Sequence, residues 1–97
     1  MPENYIGIMC GTSLDSLDFS LCCFEKVKKL KTFKSYRINQ KLKDKINLCK
    51  TKPNNQSLFN ETDEEVTRFI IHSLHKFIIF SKVKKIKAIG YPGITLV

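Results

Sequence analysis

Residues 17 to 24, Leu-Asp-Phe-Ser-Leu-Cys-Cys-Phe, alternate side chains with a period of two. That period belongs to an extended strand and not to a helix. It puts Leu17, Phe19, Leu21 and Cys23 on one face and Asp18, Ser20 and Cys22 on the other. Just upstream, Tyr5 to Cys10 forms a short run that is apolar on both faces, as a central strand would be. Between the two runs lies Gly11-Thr12-Ser13-Leu14-Asp15-Ser16. A connection this short predicts an antiparallel hairpin.

The rest of the chain must then cover this hairpin. Residues 29 to 38 alternate less cleanly and predict a third, more exposed strand with its edge guarded by lysines. Residues 40 to 50 suit a short helix, because Leu42, Ile46 and Cys49 make a narrow apolar stripe. The breaker-rich 51 to 57, Thr-Lys-Pro-Asn-Asn-Gln-Ser, is read as a loop. Thr62 and Glu65 fit a capping box, with Asp63 and Glu64 in the positive first turn, so a second helix is expected over 63 to 80. Its core face is Val66, Phe69, Ile70, Leu74 and Phe77, while Ile71, Ile78 and Ile79 are apolar on other sides. Residues 84 to 91, with Ile86, Ala88, Ile89 and Gly90, predict a buried final strand parallel to the first. Pro92 and Gly93 then read as a turn. The result is one mixed α/β unit over 1 to 97, in the order β-β-β-α-α-β.

Several function classes recede on composition. No apolar run approaches the ~20 residues of a membrane span, and no charged leader precedes an apolar segment, so a cytoplasmic protein is expected. The four cysteines lack C-x-x-C spacing and read as reduced, mostly buried thiols. The formal charge of +8 invites a nucleic acid or another polyanion. However, the lysines are spread through 26–34, 41–52 and 82–87, with no RNA-binding aromatic signature or helix-turn-helix spacing beside them. A small basic polyanion-binding protein is therefore the alternative and not the main reading. His72 and His75 lack further metal ligands nearby in sequence and read as solvated. Asp15 and Asp18 could work as an acid/base pair, but a strand-bound turn allows them to diverge.

The turn itself carries more chemistry than a hairpin needs. Gly11 permits a close backbone approach, successive amides there can cup an anion, and Thr12 and Ser13 add hydroxyl donors. Asp15 would repel a bare phosphate but suits a Mg²⁺ ion that travels with ATP. The competing reading is a hydroxyl-rich turn in which Asp15 bonds its own backbone. It is not a P-loop, since the Gly-Lys-Ser/Thr ending is missing and a strand follows.

Residues 5 to 25 closely resemble the start of the anhydro-N-acetylmuramic acid kinase family, which opens with a strand, Met-Ser-Gly-Thr-Ser-Leu-Asp-Gly-Val-Asp, and a second strand. The match runs through Met9, Gly11, Thr12, Ser13, Leu14, Asp15 and Asp18. Ile89, Gly90, Gly93 and Thr95 resemble the family's Ile-Gly-Ser-His-Gly-Gln-Thr segment. The resemblance implies part of the N-terminal lobe of an actin-like ATPase (ribonuclease H-like) fold, with ATP held between two lobes. It implies that ATP phosphorylates O6 of the sugar while water opens the 1,6-anhydro ring, giving N-acetylmuramic acid 6-phosphate for cell-wall recycling. On this reading Gly11, Thr12, Ser13, Leu14, Asp15, Ser16, Leu17 and Asp18 bind the phosphates of ATP. Asp15 faces Mg²⁺, and Gly93 and Thr95 lie toward the sugar.

Three departures stand out. Ser16 replaces the family's glycine, where a positive φ would strain a residue with a Cβ. Tyr91-Pro92 replaces Ser-His, and Ile94 replaces Gln. Family members are several-fold longer, and the aspartate that activates water falls outside these residues, so no catalytic residue is assigned here. The expectation is a truncated chain inactive alone, either a non-catalytic remnant or one that works with a separately encoded C-terminal part or as a homodimer.

Overall fold

The computed structural model describes residues 3–10, 15–24 and 28–91. Its elements are β1 (Glu3–Cys10), β2 (Ser16–Phe24), β3 (Lys28–Arg37), α1 (Gln40–Thr51), α2 (Gln56–Ser81) and β4 (Ala88–Gly90). The class and the β-β-β-α-α-β order are those the sequence predicts. The sheet runs β3-β2-β1-β4, antiparallel except for the parallel pair β1 and β4. Lys31 is the extra residue where the β2–β3 register shifts: Leu21 faces Thr32 and Cys22 faces Leu30.

Strand alternation decides which face is covered. Ile6 and Ile8 on β1, with Leu17, Phe19, Leu21 and Cys23 on β2, point to the helices and are buried. Leu42, Ile46 and Cys49 of α1 and Val66 and Phe77 of α2 meet them, as expected for both stripes. Phe19 sits at the centre, its ring 5.4 Å from both Phe77 and Tyr36. Burying such side chains is the main favourable term in a domain this small.

The opposite face has no layer over it among the described residues. The sequence predicts β1 as a central strand apolar on both faces, but this second face is not buried: Met9 is 59% exposed there, with Phe24, Leu30 and Phe33 also exposed on this face. A shallow concavity of about 580 Å³ lies mid-sheet on that side, lined by Tyr5, Gly7, Ser20, Cys22, Phe24 and Ala88.

Four further expectations need correction. α2 begins at Gln56, not 63, and its N-cap is Asn55, whose side chain accepts from the Leu58 amide at 3.0 Å. Thr62 is no cap: it is fully buried inside the helix, and its hydroxyl donates to the Leu58 carbonyl at 2.8 Å. The loop therefore shrinks to 52–55, with Thr51 and Gln56 helical. β4 is shorter than expected and exposed along its length, so the final strand is an edge and not a buried element.

Other details agree with expectation or refine it. Ser16 opens β2 opposite Arg37, and Lys82 is the positive-φ non-glycine residue among those described, so the glycine-to-serine departure carries no backbone strain. Ile71 and Ile79 are exposed, whereas Ile78 packs on the core. Cys23 and Cys49 are buried and Cys10 and Cys22 half-buried. His72 and His75 are exposed.

Candidate functional site

Parallel pairing gives β1 and β4 a shared direction. Gly7 faces Gly90, so both strands leave the sheet at the same edge. The edge beyond the carboxyl ends of parallel strands is where α/β sheets commonly open a ligand crevice. The turn between β1 and β2 begins there, and Tyr91 follows β4 there. β1 and β4, the strands that lead toward the two segments singled out in sequence, 11–18 and 89–95, thus end toward one edge. Gly11, Thr12, Ser13 and Leu14, and likewise Gly93 and Thr95, lie outside the described residues.

The described part of the turn shows how its carboxylates are held. The Asp15 carbonyl accepts from the Ile38 amide at 2.9 Å, which pins the turn to the residue just before α1. The Asp15 carboxylate meets the Lys43 ammonium of α1 at 2.5 Å. Asn39 caps α1 by accepting from the Leu42 amide at 2.8 Å, and no acidic residue lies in the helix's first turn. The positive pole of α1 and Lys43 therefore both lie close in sequence to the residue that holds the turn.

Asp18 behaves differently. It projects from the open face of the sheet and accepts from Ser35 Oγ at 2.6 Å and Ser16 Oγ at 3.4 Å. Asp15 and Asp18 engage different elements, so these contacts do not make them a joint acid/base pair. The Leu17 side chain is completely buried, which leaves only its backbone to face a ligand. Burial, and then the Asp18 carboxylate, push the Cys10 thiol up against the opposing pull of Lys50. Burial likewise pushes the Tyr91 phenol up, aided by Cys10 and Asp63.

Elsewhere the charges pair structurally. Lys45 donates to Glu65 at 2.6 Å and Glu61 at 3.0 Å, joining α1 to α2, and Lys87 lies 3.7 Å from Glu3. Among the described residues no group of three His, Cys, Asp or Glu side chains is placed to hold a metal. None of their helices is long and apolar enough to cross a membrane.

Sequence reasoning found the turn but missed Lys43. As one of five lysines between 41 and 52, it gives no local signal of a partner 28 residues away.

Comparison with known proteins bears directly on this edge. The family model described as anhydro-N-acetylmuramic acid kinase matches residues 3–97. A protein of Sulfurimonas denitrificans named anhydro-N-acetylmuramic acid kinase is 36% identical over 99 aligned residues, covering 99% of this chain. The chain spans 27% of that relative's length. With the family model matching residues 3–97 and a relative 36% identical across 99% of this chain's length, the chain belongs to the anhydro-N-acetylmuramic acid kinase family.

Proposed function

We propose that the chain supplies the phosphate-binding turn of an ATP-dependent amino-sugar kinase. The reaction is the one the family name denotes. The anhydro sugar's O6 takes the terminal phosphoryl group of ATP, water adds across the 1,6-anhydro bond, and N-acetylmuramic acid 6-phosphate and ADP leave. Cell-wall sugar recycling in the cytoplasm is the setting. One observation supports the reading: Met9, Cys10 and Asp15, described residues of the stretch that matches the family's opening motif, lie next to the carboxyl end of β1, the strand that pairs in parallel with β4, and the Ile38 amide just before α1 is bonded to the Asp15 carbonyl.

Within that reading the amides and hydroxyls of Gly11 to Ser13 cup the phosphate oxygens, and the Asp15 carboxylate faces the cation. Phosphoryl transfer spreads charge over the transferred oxygens, so positioning and fixed donors are what the site must provide. The donor set fits a magnesium ion that arrives with its nucleotide. Asp15 offers an exposed hard oxygen, and such an ion takes one or two carboxylates while phosphates and waters fill its other positions. When bound, the ion supplies charge neutralisation. Gly93 and Thr95 are the candidates for the sugar side. The adenosine pocket and the group that activates water come from family sequence beyond the span matched here, which divides the labour between that sequence and these residues.

Titration of MgATP into the isotope-labelled chain tests this. Amide resonances of residues 11–18 are expected to shift, with no phosphoryl transfer to the anhydro sugar by the chain alone. Shifts confined to other residues, or none, refute the phosphate-turn reading. Turnover by the chain alone, in a preparation free of host kinase, refutes the division of labour.

A further inference from the structure

Lys43 is held more firmly than its neighbours on α1 require. Its side chain is only 26% exposed and its ammonium meets Asp15. Most lysines instead leave their ammonium in water. The same junction is tied through the backbone, by the Ile38 amide on the Asp15 carbonyl at 2.9 Å. Segment 38–43 thus grips Asp15 by both its carbonyl and its carboxylate. An ion pair whose carboxylate is 61% exposed adds little to stability by itself. Its consequence is geometric and electrostatic. It fixes the direction of the Asp15 carboxylate and offsets the charge that would repel a polyanion.

We propose that Lys43 is a positioning residue of the phosphate turn. It aims and neutralises Asp15, so that a magnesium nucleotide meets a carboxylate already in place. This rests on the phosphate-turn reading above. Lys43 touches no reacting atom in this scheme and acts through Asp15. An arginine can replace it, because a guanidinium reaches the same carboxylate with the same charge, whereas a methionine of similar length cannot.

Two readouts on the full chain test the proposal. The first is hydrogen exchange of the Ile38 amide without nucleotide. Lys43→Met is expected to speed it about tenfold, with Lys43→Arg within about threefold of wild type. An unchanged rate in Lys43→Met overturns the proposal whether or not nucleotide binds. The second is MgATP affinity. Lys43→Met is expected to weaken it about tenfold and Lys43→Arg to keep it within about threefold. The swapped pair Asp15→Lys with Lys43→Asp is expected to recover Ile38 protection but not affinity. Wild-type affinity in Lys43→Met, or recovered affinity in the swap, also overturns it. If the wild type binds no MgATP while Ile38 protection still depends on Lys43, the positioning role holds and the phosphate-turn reading fails.

Discussion

The start of α2 can be tested by three substitutions whose effects carry opposite signs in the two possible registers. Thr62 is fully buried, and its hydroxyl donates to the Leu58 carbonyl, which the helix ladder also uses. Thr62→Val removes that donor without leaving the carbonyl unsatisfied, so stability should stay within about 0.5 kcal/mol of wild type. Thr62→Asp places a carboxylate in the core and should cost several kcal/mol, on the order of 3 or more. Asn55→Ala removes the side-chain acceptor of the Leu58 amide and should cost about 1 kcal/mol. For a domain of this size that is a midpoint lowered by roughly 4–8 °C. Were Thr62 the cap, the pattern would invert. Valine there would cost about 1 kcal/mol and aspartate, itself a good cap, would be tolerated, while Asn55→Ala would be silent. Thermal and urea unfolding followed by helical circular dichroism measures all three, given a cooperative transition. A folded Thr62→Asp variant with a near wild-type midpoint would refute the assigned register.

Two further substitutions probe the helix pair and the sheet. Lys45 holds the Glu65 carboxyl below its usual range by donating to it, and the two glutamates hold the Lys45 ammonium above its own. The depressed carboxylate adds stability above about pH 4, where unfolded glutamates titrate, and that stability is lost as pH falls through the lower folded value. The raised Lys45 adds its share below roughly pH 10 and loses it as pH climbs through the higher folded value. Glu65→Gln should therefore flatten the acid limb of midpoint against pH, and equal slopes in the two proteins would sink the assignment. A Cβ at Gly7 would stand 3.0 Å from Ser20 Oγ, so Gly7→Ala should cost about 1 kcal/mol. Adding Ser20→Ala should restore the melting midpoint; a double variant no better than the single one would place the strain elsewhere.

Local patterns were readable where one residue type decides the outcome. The period-two run of β2 and the Leu42, Ile46, Cys49 stripe of α1 each point to one face, and both faces are buried as read. The turn was legible because a glycine, two hydroxyls and a carboxylate share the five residues 11–15. The α2 start was misread because Thr62-Asp63-Glu64-Glu65 mimics a capping box. Only tertiary packing reveals that Thr62 is interior, while Asn55, seven residues earlier, is an equally good cap. The bare face of the sheet was hidden because Tyr5 and Met9 look as apolar as Ile6 and Ile8. The Lys43–Asp15 contact was out of reach for the same reason: partners distant in sequence leave no trace in local spacing.

The short strand β4 has a dynamic consequence. Its registry with β1 spans three residues, and flanking bonds tie Asn4 to Lys85 and Lys87 across more than eighty positions, as the Asn4–Lys85 separation of 81 attests. Joining ends so far apart forfeits chain entropy for few contacts, so this seam knits last during folding and unzips first in the native state. Because Tyr91 follows directly, each unzipping also frees its backbone from the carboxyl end of the strand pair.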